Sequence, residues 1–249
     1  MKEARYFYVP KAPLQSELPS EEASHATRVL RMREGDELFL MDGEGCFYRA
    51  LVTLATPKRC LYNIVETLPQ ERFWPADIHL AIAPTKMMER MEWLAEKATE
   101  VGFDSLTFLD CRFSERRQLR TDRIQKIVVS AMKQSRKPFL PKVCELTPFT
   151  RFIDNCREGI RCIAHCYDEI PRKDLYQHLA EQYKGSPSPM PPVTLLVGPE
   201  GDFSVDEVRY ALDHGFQSIS LGPARLRTET AGLVAVMTAQ TVLQHTAIR

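Results

Sequence analysis

No apolar run in this chain approaches the ~18 residues that a membrane-spanning helix needs, so a transmembrane helix is excluded. The opening Met1-Lys2-Glu3-Ala4-Arg5-Tyr6 has no apolar core of the signal-peptide kind, and the expected compartment is the cytoplasm. Net charge is missing too. The 33 basic and 33 acidic residues cancel, which taken alone argues against a free nucleic-acid binder. Neither Gly-x-Gly-x-x-Gly nor Gly-x-x-x-x-Gly-Lys-Ser/Thr occurs, leaving a dinucleotide enzyme or a P-loop NTPase with little support. There is no Gly-x-Ser-x-Gly elbow for Ser-His-Asp chemistry. The seven cysteines (Cys46, Cys60, Cys111, Cys144, Cys156, Cys162, Cys166) are odd in number and scattered, which fits a reducing compartment better than a disulfide framework. Cys162-Ile-Ala-His165-Cys166 gathers soft donors, but on a strand they alternate faces, and no second Cys/His pair completes a tetrahedral site. Buried strand cysteines are the ordinary reading, and no metal is expected.

What is present is enough apolar residue to bury a core: 44% of 249 residues, as one large domain or two smaller ones. The first seventy residues read as β-rich with one helix. Arg5 to Val9 alternates aromatic and polar, and Ser20 is placed to cap a helix over Glu21 to Leu30. Asp42-Gly43-Glu44-Gly45 is a turn between the strand-like runs Glu37–Met41 and Cys46–Leu54, and a third run covers Cys60–Thr67. This pattern predicts a small barrel over residues 1–70. The polar, turn-rich stretch Leu68 to Pro75 marks a boundary, and a second domain is expected over 76–249. There the rhythm changes to strand and helix in alternation. Strands are predicted at Ile78–Ala83, Leu106–Leu109, Ile160–His165, Val193–Val197 and Ser218–Leu221. Helices are predicted at Lys86–Val101, about Thr121–Gln134, after the capping box Ser204-Val205-Asp206-Glu207, and from about Thr228 to Gln244. Such alternation means an α/β domain, a parallel sheet with helices on both faces.

Two Gly-Pro loops stand out. Val197-Gly198-Pro199-Glu200-Gly201-Asp202-Phe203 and Leu221-Gly222-Pro223-Ala224-Arg225-Leu226-Arg227-Thr228-Glu229-Thr230-Ala231-Gly232 each follow a predicted strand and open into a helix. Paired loops of this kind belong on the carboxyl edge of an open sheet, where ligands bind, and they offer backbone groups unobstructed by side chains. A second feature is charge. Arg112, Arg116, Arg117, Arg120, Arg123, Lys126, Lys133, Arg136, Lys137 and Lys142 face only Glu115 and Asp122 in the same segment. The segment is either a phosphate-binding patch or a solvated helix face.

These motifs, in this order, resemble the RsmE-type 16S rRNA uridine-N3 methyltransferases of the SPOUT (α/β-knot) superfamily, over nearly the whole chain. The resemblance rests on Arg5-Tyr6-Phe7, His25 with Val29-Leu30-Arg31, Gly35-Asp36 and Asp42-Gly43 in the first part. In the middle it rests on Lys86, Arg90-Met91-Glu92, Lys97-Ala98-Thr99-Glu100-Val101-Gly102 and Gln134-Ser135-Arg136. Most specifically it rests on Gly198-Pro199-Glu200-Gly201, Phe203-Ser204, Glu207, Leu221-Gly222 and Leu226-Arg227-Thr228-Glu229-Thr230-Ala231. Asp202 departs from the pattern, which has a second glycine there, and this bears on the local turn shape.

The resemblance implies a PUA-like RNA-binding barrel over 1–70 and a SPOUT methyltransferase domain with a deep trefoil knot over 76–249. It implies S-adenosyl-L-methionine as cofactor, N3 of one uridine in 16S ribosomal RNA as target, and a homodimer. Leu196, Val197, Gly198, Gly201, Leu221, Gly222, Leu226 and Thr228 are the expected cofactor-binding residues. Arg227 is the candidate for stabilising the uracil anion, and Glu200 and Glu229 are candidate acceptors of the N3 proton, although either glutamate also suits a helix start. Arg5, Arg31, Arg112, Arg116, Arg117, Arg120 and Arg136 are candidate RNA contacts. The balanced total charge points to RNA presented on the assembled 30S subunit rather than naked. Another rRNA target, or a non-catalytic assembly protein of the same fold, is the competing reading. The apolar residues Leu233, Val234, Val236, Met237, Val242 and Leu243 cover more than one face of the last helix, which suits either a subunit interface or a deeper core.

Overall fold

The computed structural model describes residues 4–186 and 188–247. It separates into two compact units: residues 1–73 with 132–140, and residues 74–131 with 141–249. Segment 132–140 thus groups with the first unit, although it lies far along the chain.

In the first unit, β1 (Tyr6–Tyr8), β2 (Glu37–Met41), β3 (Cys46–Ala55) and β4 (Cys60–Pro69) form a sheet in that order. β1 runs parallel to β2, and the other pairs are antiparallel. No ladder joins β1 to β4 among the described residues, and Glu17 bridges antiparallel to Leu61 on β4. The sheet's inner face buries Phe7, Leu38, Leu40, Ala50, Val52 and Tyr62 against Leu18, Ala23 and Ala26. The turn between β2 and β3 is pinned by Asp42, which accepts from the amides of Glu44 (2.7 Å) and Cys46 (3.0 Å) and from the Tyr48 hydroxyl (3.0 Å). Ser20 is not a cap. Pro19 precedes the helix, and Ser20 is the first residue of α1 (Ser20–Ser24), which passes into a π-helical turn over His25–Val29.

The second unit is the α/β domain. A parallel sheet has the order β7-β6-β5-β10-β8-β11-β9. Its strands are β5 (Ile78–Ile82), β6 (Ser105–Asp110), β7 (Lys142–Pro148), β8 (Ile160–Ala164), β9 (Lys173–Asp174), β10 (Val193–Val197) and β11 (Gln217–Ser220). All five residues of β10 are buried, as a central parallel strand covered on both faces requires. On one face Ala81, Ala83, Leu109, Ile163 and Leu196 pack with α4 (Phe149–Asn155) and α6 (Val205–Asp213). On the other, β5 and β10 meet α7 (Thr228–Ala247), which in turn packs on α2 (Met88–Val101) and α5 (Leu175–Tyr183). The Ser204–Glu207 capping box of α6 is formed in both directions.

Because α7 lies against two helices and two strands, Ala235, Val236, Ala239, Val242 and Leu243 are consumed within the unit, while Leu233 and Val234 are half-buried and Met237 is exposed. Helix α3 (Asp122–Ser135) matches the predicted helix in the basic segment. The strand β7, the helices α4 and α5 and the two-residue β9 were not expected from the sequence.

Candidate active site

All seven strands point the same way, so the loops after β8, β10 and β11 emerge on one edge. Together they wall a cavity of about 1200 Å³. Both Gly-Pro loops line it. Val197, Gly198, Gly201, Leu221, Gly222, Leu226 and Thr228 are on its surface, as are Glu200 and Arg227. Leu196 is not. Successive residues of a strand face opposite ways, and Leu196 turns into the core beside α4 and α6 while Val197 reaches the cavity. Glu229 is also absent from the wall, and its side chain is buried near Arg90.

The third wall carries no Gly-Pro signature and was not anticipated. It is the segment after β8: His165, Cys166, Tyr167 and Asp168, with Arg172 and Asp174 beyond. Side chains lash it to both neighbours. The Cys166 amide donates to Asp202 Oδ2 at 2.8 Å, and the Tyr167 hydroxyl donates to the Phe203 carbonyl at 2.6 Å. His165 Nε2 meets Ser218 Oγ at 2.6 Å on β11. Arg172 donates to the His165 carbonyl at 2.9 Å and pairs with Asp168 at 2.6 Å.

These contacts explain Asp202. Its φ is +68°, in the left-handed region where glycine is the default and Asp is among the few tolerated residues. Here the carboxylate adds a bond from the β10 loop to the β8 loop that glycine cannot make. Asp202→Gly should therefore lose that bond and the one its Oδ1 accepts from the Phe203 amide at 2.8 Å, about 1 kcal/mol each. Asp202→Ala should lose a further ~1 kcal/mol, because a β-carbon without the hydrogen bond is strained at that φ. Chemical denaturation of the two variants checks the order.

His165 has a defined role in the same lashing. The Tyr167 amide donates to its Nδ1 at 3.2 Å, so Nδ1 is the acceptor and Nε2 carries the proton toward Ser218. Burial, with Arg172 acting in the same sense, pushes its protonation below the ordinary histidine value of 6.5, against Asp202 and Glu169. The unfolded chain therefore takes up this proton first. The contribution to stability is complete above pH 6.5 and is lost as the pH falls below it. Melting temperature should drop more steeply between pH 6.5 and 5 in wild type than in His165→Asn. The buried His178 shifts in the same direction and stays as a common background.

The basic candidates divide between the units. In the second unit Arg112 pairs with Asp206 (3.1 Å), Arg117 with Asp110 (3.1 Å), and Arg116 donates to the Lys86 carbonyl (2.7 Å). Arg120 is exposed. In the first unit Arg5 lies 3.9 Å from Asp36, Arg136 sits over the Tyr6 ring at 5.0 Å, and Arg31 is exposed. Part of the charge that looked surplus in sequence, at Arg112 and Arg117, is thus engaged in ion pairs, worth little individually at exposed positions. Glu200 Oε1 accepts from the Lys86 amide at 3.2 Å, while the Arg227 side chain is exposed on the cavity wall without a partner among the described residues. No group of metal-ligating side chains occurs among the described residues, and no helix is long and apolar enough to cross a membrane.

The fold and the chain as a whole have known relatives. Residues 72–240 match the RNA methyltransferase domain family, and residues 18–65 match the RNA methyltransferase PUA domain. A ribosomal RNA small subunit methyltransferase E from Aquifex aeolicus is 31% identical over 82% of this chain and 85% of its own. The crystal structure of a probable rRNA methyltransferase from Porphyromonas gingivalis superposes with a TM-score of 0.87 and 38% identity, covering 98% of this chain and all of the other. A ribosomal RNA small subunit methyltransferase E from Neisseria gonorrhoeae, bound to S-adenosyl methionine, gives 0.79 and 26%, covering 96% and 98%. On the whole-length match, the paired domains and the site, the chain belongs to the ribosomal RNA small subunit methyltransferase E family.

Proposed function

We propose that this chain transfers a methyl group from S-adenosyl-L-methionine to N3 of one uridine in 16S ribosomal RNA, on the assembled 30S subunit in the cytoplasm. The observation that carries the reading is the cavity itself, lined by both Gly-Pro loops, with the Arg227 guanidinium on its wall and without a partner among the described residues. The residues fit the cofactor. Val197, Ile219, Leu221 and Leu226 offer apolar surface to an adenosine, and Gly198 and Gly222 leave backbone N–H and C=O groups unobstructed. At Gly222, with φ +115°, a β-carbon would project into open space, so the chain leaves room there that a side chain would fill. Asp168, Asp174 and Asp202 bring carboxylates toward a ligand that carries a sulfonium and an ammonium. When bound, the cofactor supplies an electrophilic methyl on sulfur.

The chain's own work is to deliver a nucleophile. The uridine N3–H ionises roughly two pH units above neutral, so reaching the anion at pH 7 costs about 3 kcal/mol at 1.36 kcal/mol per unit. A cation beside O2 or O4 lowers that cost, and Arg227, which lines the cavity, is the proposed one. Glu200, with one oxygen held by the Lys86 amide, is the proposed proton acceptor. Positioning the two reactants accounts for the remainder. Arg5, Arg31 and Arg136 in the first unit, and Arg112, Arg116, Arg117 and Arg120 in the second, are the proposed RNA contacts. A trefoil threading belongs to the same reading, and it is supported by β10 lying between two strands that precede it in the chain. So does a homodimer, supported by the exposed Met237 on α7 and Trp93 on α2. Light scattering at micromolar concentration should give twice the chain mass.

With labelled cofactor, purified protein should methylate isolated 30S subunits much faster than deproteinised 16S RNA. Equal rates would remove the 30S assignment.

A further inference from the structure

Glu229 is out of place for a surface carboxylate. It is 7% exposed at the start of α7, its Oε2 is buried with no hydrogen-bond partner, and its Oε1 lies 3.8 Å from Arg90 Nε. A buried carboxylate left half-satisfied is uncommon and calls for a cause. Placement near a helix N-terminus offers one, but the helix field alone does not explain why an arginine from another helix is drawn to it. Arg90, near the start of α2, is the other half of the arrangement. Its side chain lies on the cavity wall, and Glu229 is the only partner it has among the described residues. At 3.8 Å the contact is an ion pair and not a hydrogen bond; it draws the guanidinium toward Glu229 through its Nε side and leaves both terminal nitrogens free.

The geometry points to Arg90 as a second substrate-contacting cation for the proposed N3 methylation, with Glu229 as its positioning residue and not a proton acceptor. The inference rests on that reading of the substrate. The uracil anion spreads its charge over O2, N3 and O4. A single cation covers one oxygen, whereas Arg227 on the loop and Arg90 on α2 supply two donors from different elements that line the same cavity. Loss of the N3 proton then develops charge where fixed donors already stand. Glu229 offsets part of the Arg90 charge, but it keeps the fork from swinging out to solvent or to RNA phosphate.

The test is the pH profile of kcat/KM on 30S subunits, with cofactor affinity by calorimetry and melting temperature measured alongside. Arg90→Ala should slow transfer roughly 100-fold and move the alkaline rise upward by about one pH unit, with the Kd for S-adenosylmethionine within about threefold of wild type. Glu229→Gln should shift the profile in the same direction with a smaller loss, and should add nothing in the Arg90→Ala background. Arg90→Lys keeps the charge and should recover part of the rate. Three results would overturn the inference. One is an unchanged profile in Arg90→Ala. Another is a Glu229→Gln effect confined to melting temperature, which is the helix-start role. The third is a large rise in cofactor Kd in Arg90→Ala, which would make Arg90 an anchor for the cofactor carboxylate. If wild-type protein forms no N3-methyluridine at all, the substrate reading itself fails, and the inference goes with it.

Discussion

Gly198→Ala abolishes detectable cofactor binding, with Kd rising at least ~100-fold, a loss of about 2.7 kcal/mol. Gly198 is the first residue after the central strand β10, and the loop folds back tightly over it. A β-carbon there would lie 2.9 Å from the amide nitrogen of Phe203, 3.1 Å from its ring and 3.2 Å from the carbonyl carbon of Asp202. Two of these three neighbours are backbone, which cannot rotate away as the end of a side chain can. The ring offers no relief, because Phe203 is fully buried and packs on Phe149 with ring centroids 5.4 Å apart. The loop must therefore move, and it carries with it the Asp202 and Phe203 acceptors that hold the β8 wall. Part of the effect is stability, about 1–3 kcal/mol for overpacking. Gly201→Ala is the internal control. Its β-carbon would meet only the Phe113 side chain, at 3.4 and 4.0 Å, ordinary contacts, so the loop should keep its shape and binding should fall much less than in Gly198→Ala. Calorimetry on the two proteins, with melting temperature to show that each is folded, separates a steric account from a general intolerance of the loop.

Arg227→Ala lowers kcat by roughly 100- to 1,000-fold, with cofactor Kd nearly unchanged. Arg227 precedes α7 by one residue and is exposed on the cavity wall, so its removal leaves no buried hole. On the proposed reading, what is lost is the fixed positive charge beside the uracil oxygens. The cost of ionising N3 then returns toward its value in water, about 3 kcal/mol at pH 7. Raising the pH supplies the anion from solution, so the deficit of the variant should narrow as the pH approaches 9. A deficit that is constant across pH would mean that Arg227 grips phosphate or orients the loop instead. Single-turnover rates measured from pH 6.5 to 9 distinguish the two.

The two Gly-Pro loops were legible because strand, turn and helix start are each written locally. Val193–Val197 is an apolar run interrupted only by Thr194, Gly198-Pro199 breaks it, and Ser204 with Glu207 restarts a helix. The β8 wall was not legible. His165, Cys166 and Tyr167 reach the cavity only because β8 lies between β10 and β11, and strand order is a long-range property that no local pattern encodes. Leu196 and Val197 were named together from the sequence, and only the strand alternation seen in the structure separates them, Val197 toward the cavity and Leu196 into the core. Helix α5 did carry a signal. Leu175, His178, Leu179 and Tyr183 are buried at helical spacing, and Asp174 caps the helix by accepting from the Gln177 amide at 3.0 Å. Strand β7 had almost none, since Lys142–Pro148 is an edge strand with no buried residue. The grouping of segment 132–140 with the first unit was hidden for the same reason as the β8 wall: the Leu140 amide donates to the Gly43 carbonyl at 2.9 Å, across a separation no motif spans.

Asp202 shows how a departure from a pattern becomes informative once the backbone is known. In sequence it was an acidic residue where glycine was expected. In the structure the φ of +68° explains the glycine, and the bond to the Cys166 amide explains why aspartate serves.

The account stands most directly on the modified nucleoside. Mass spectrometry of nuclease-digested 16S ribosomal RNA from cells lacking this gene should show one N3-methyluridine missing, restored by the wild-type chain and not by Gly198→Ala. An unchanged 16S profile in those cells would contradict it.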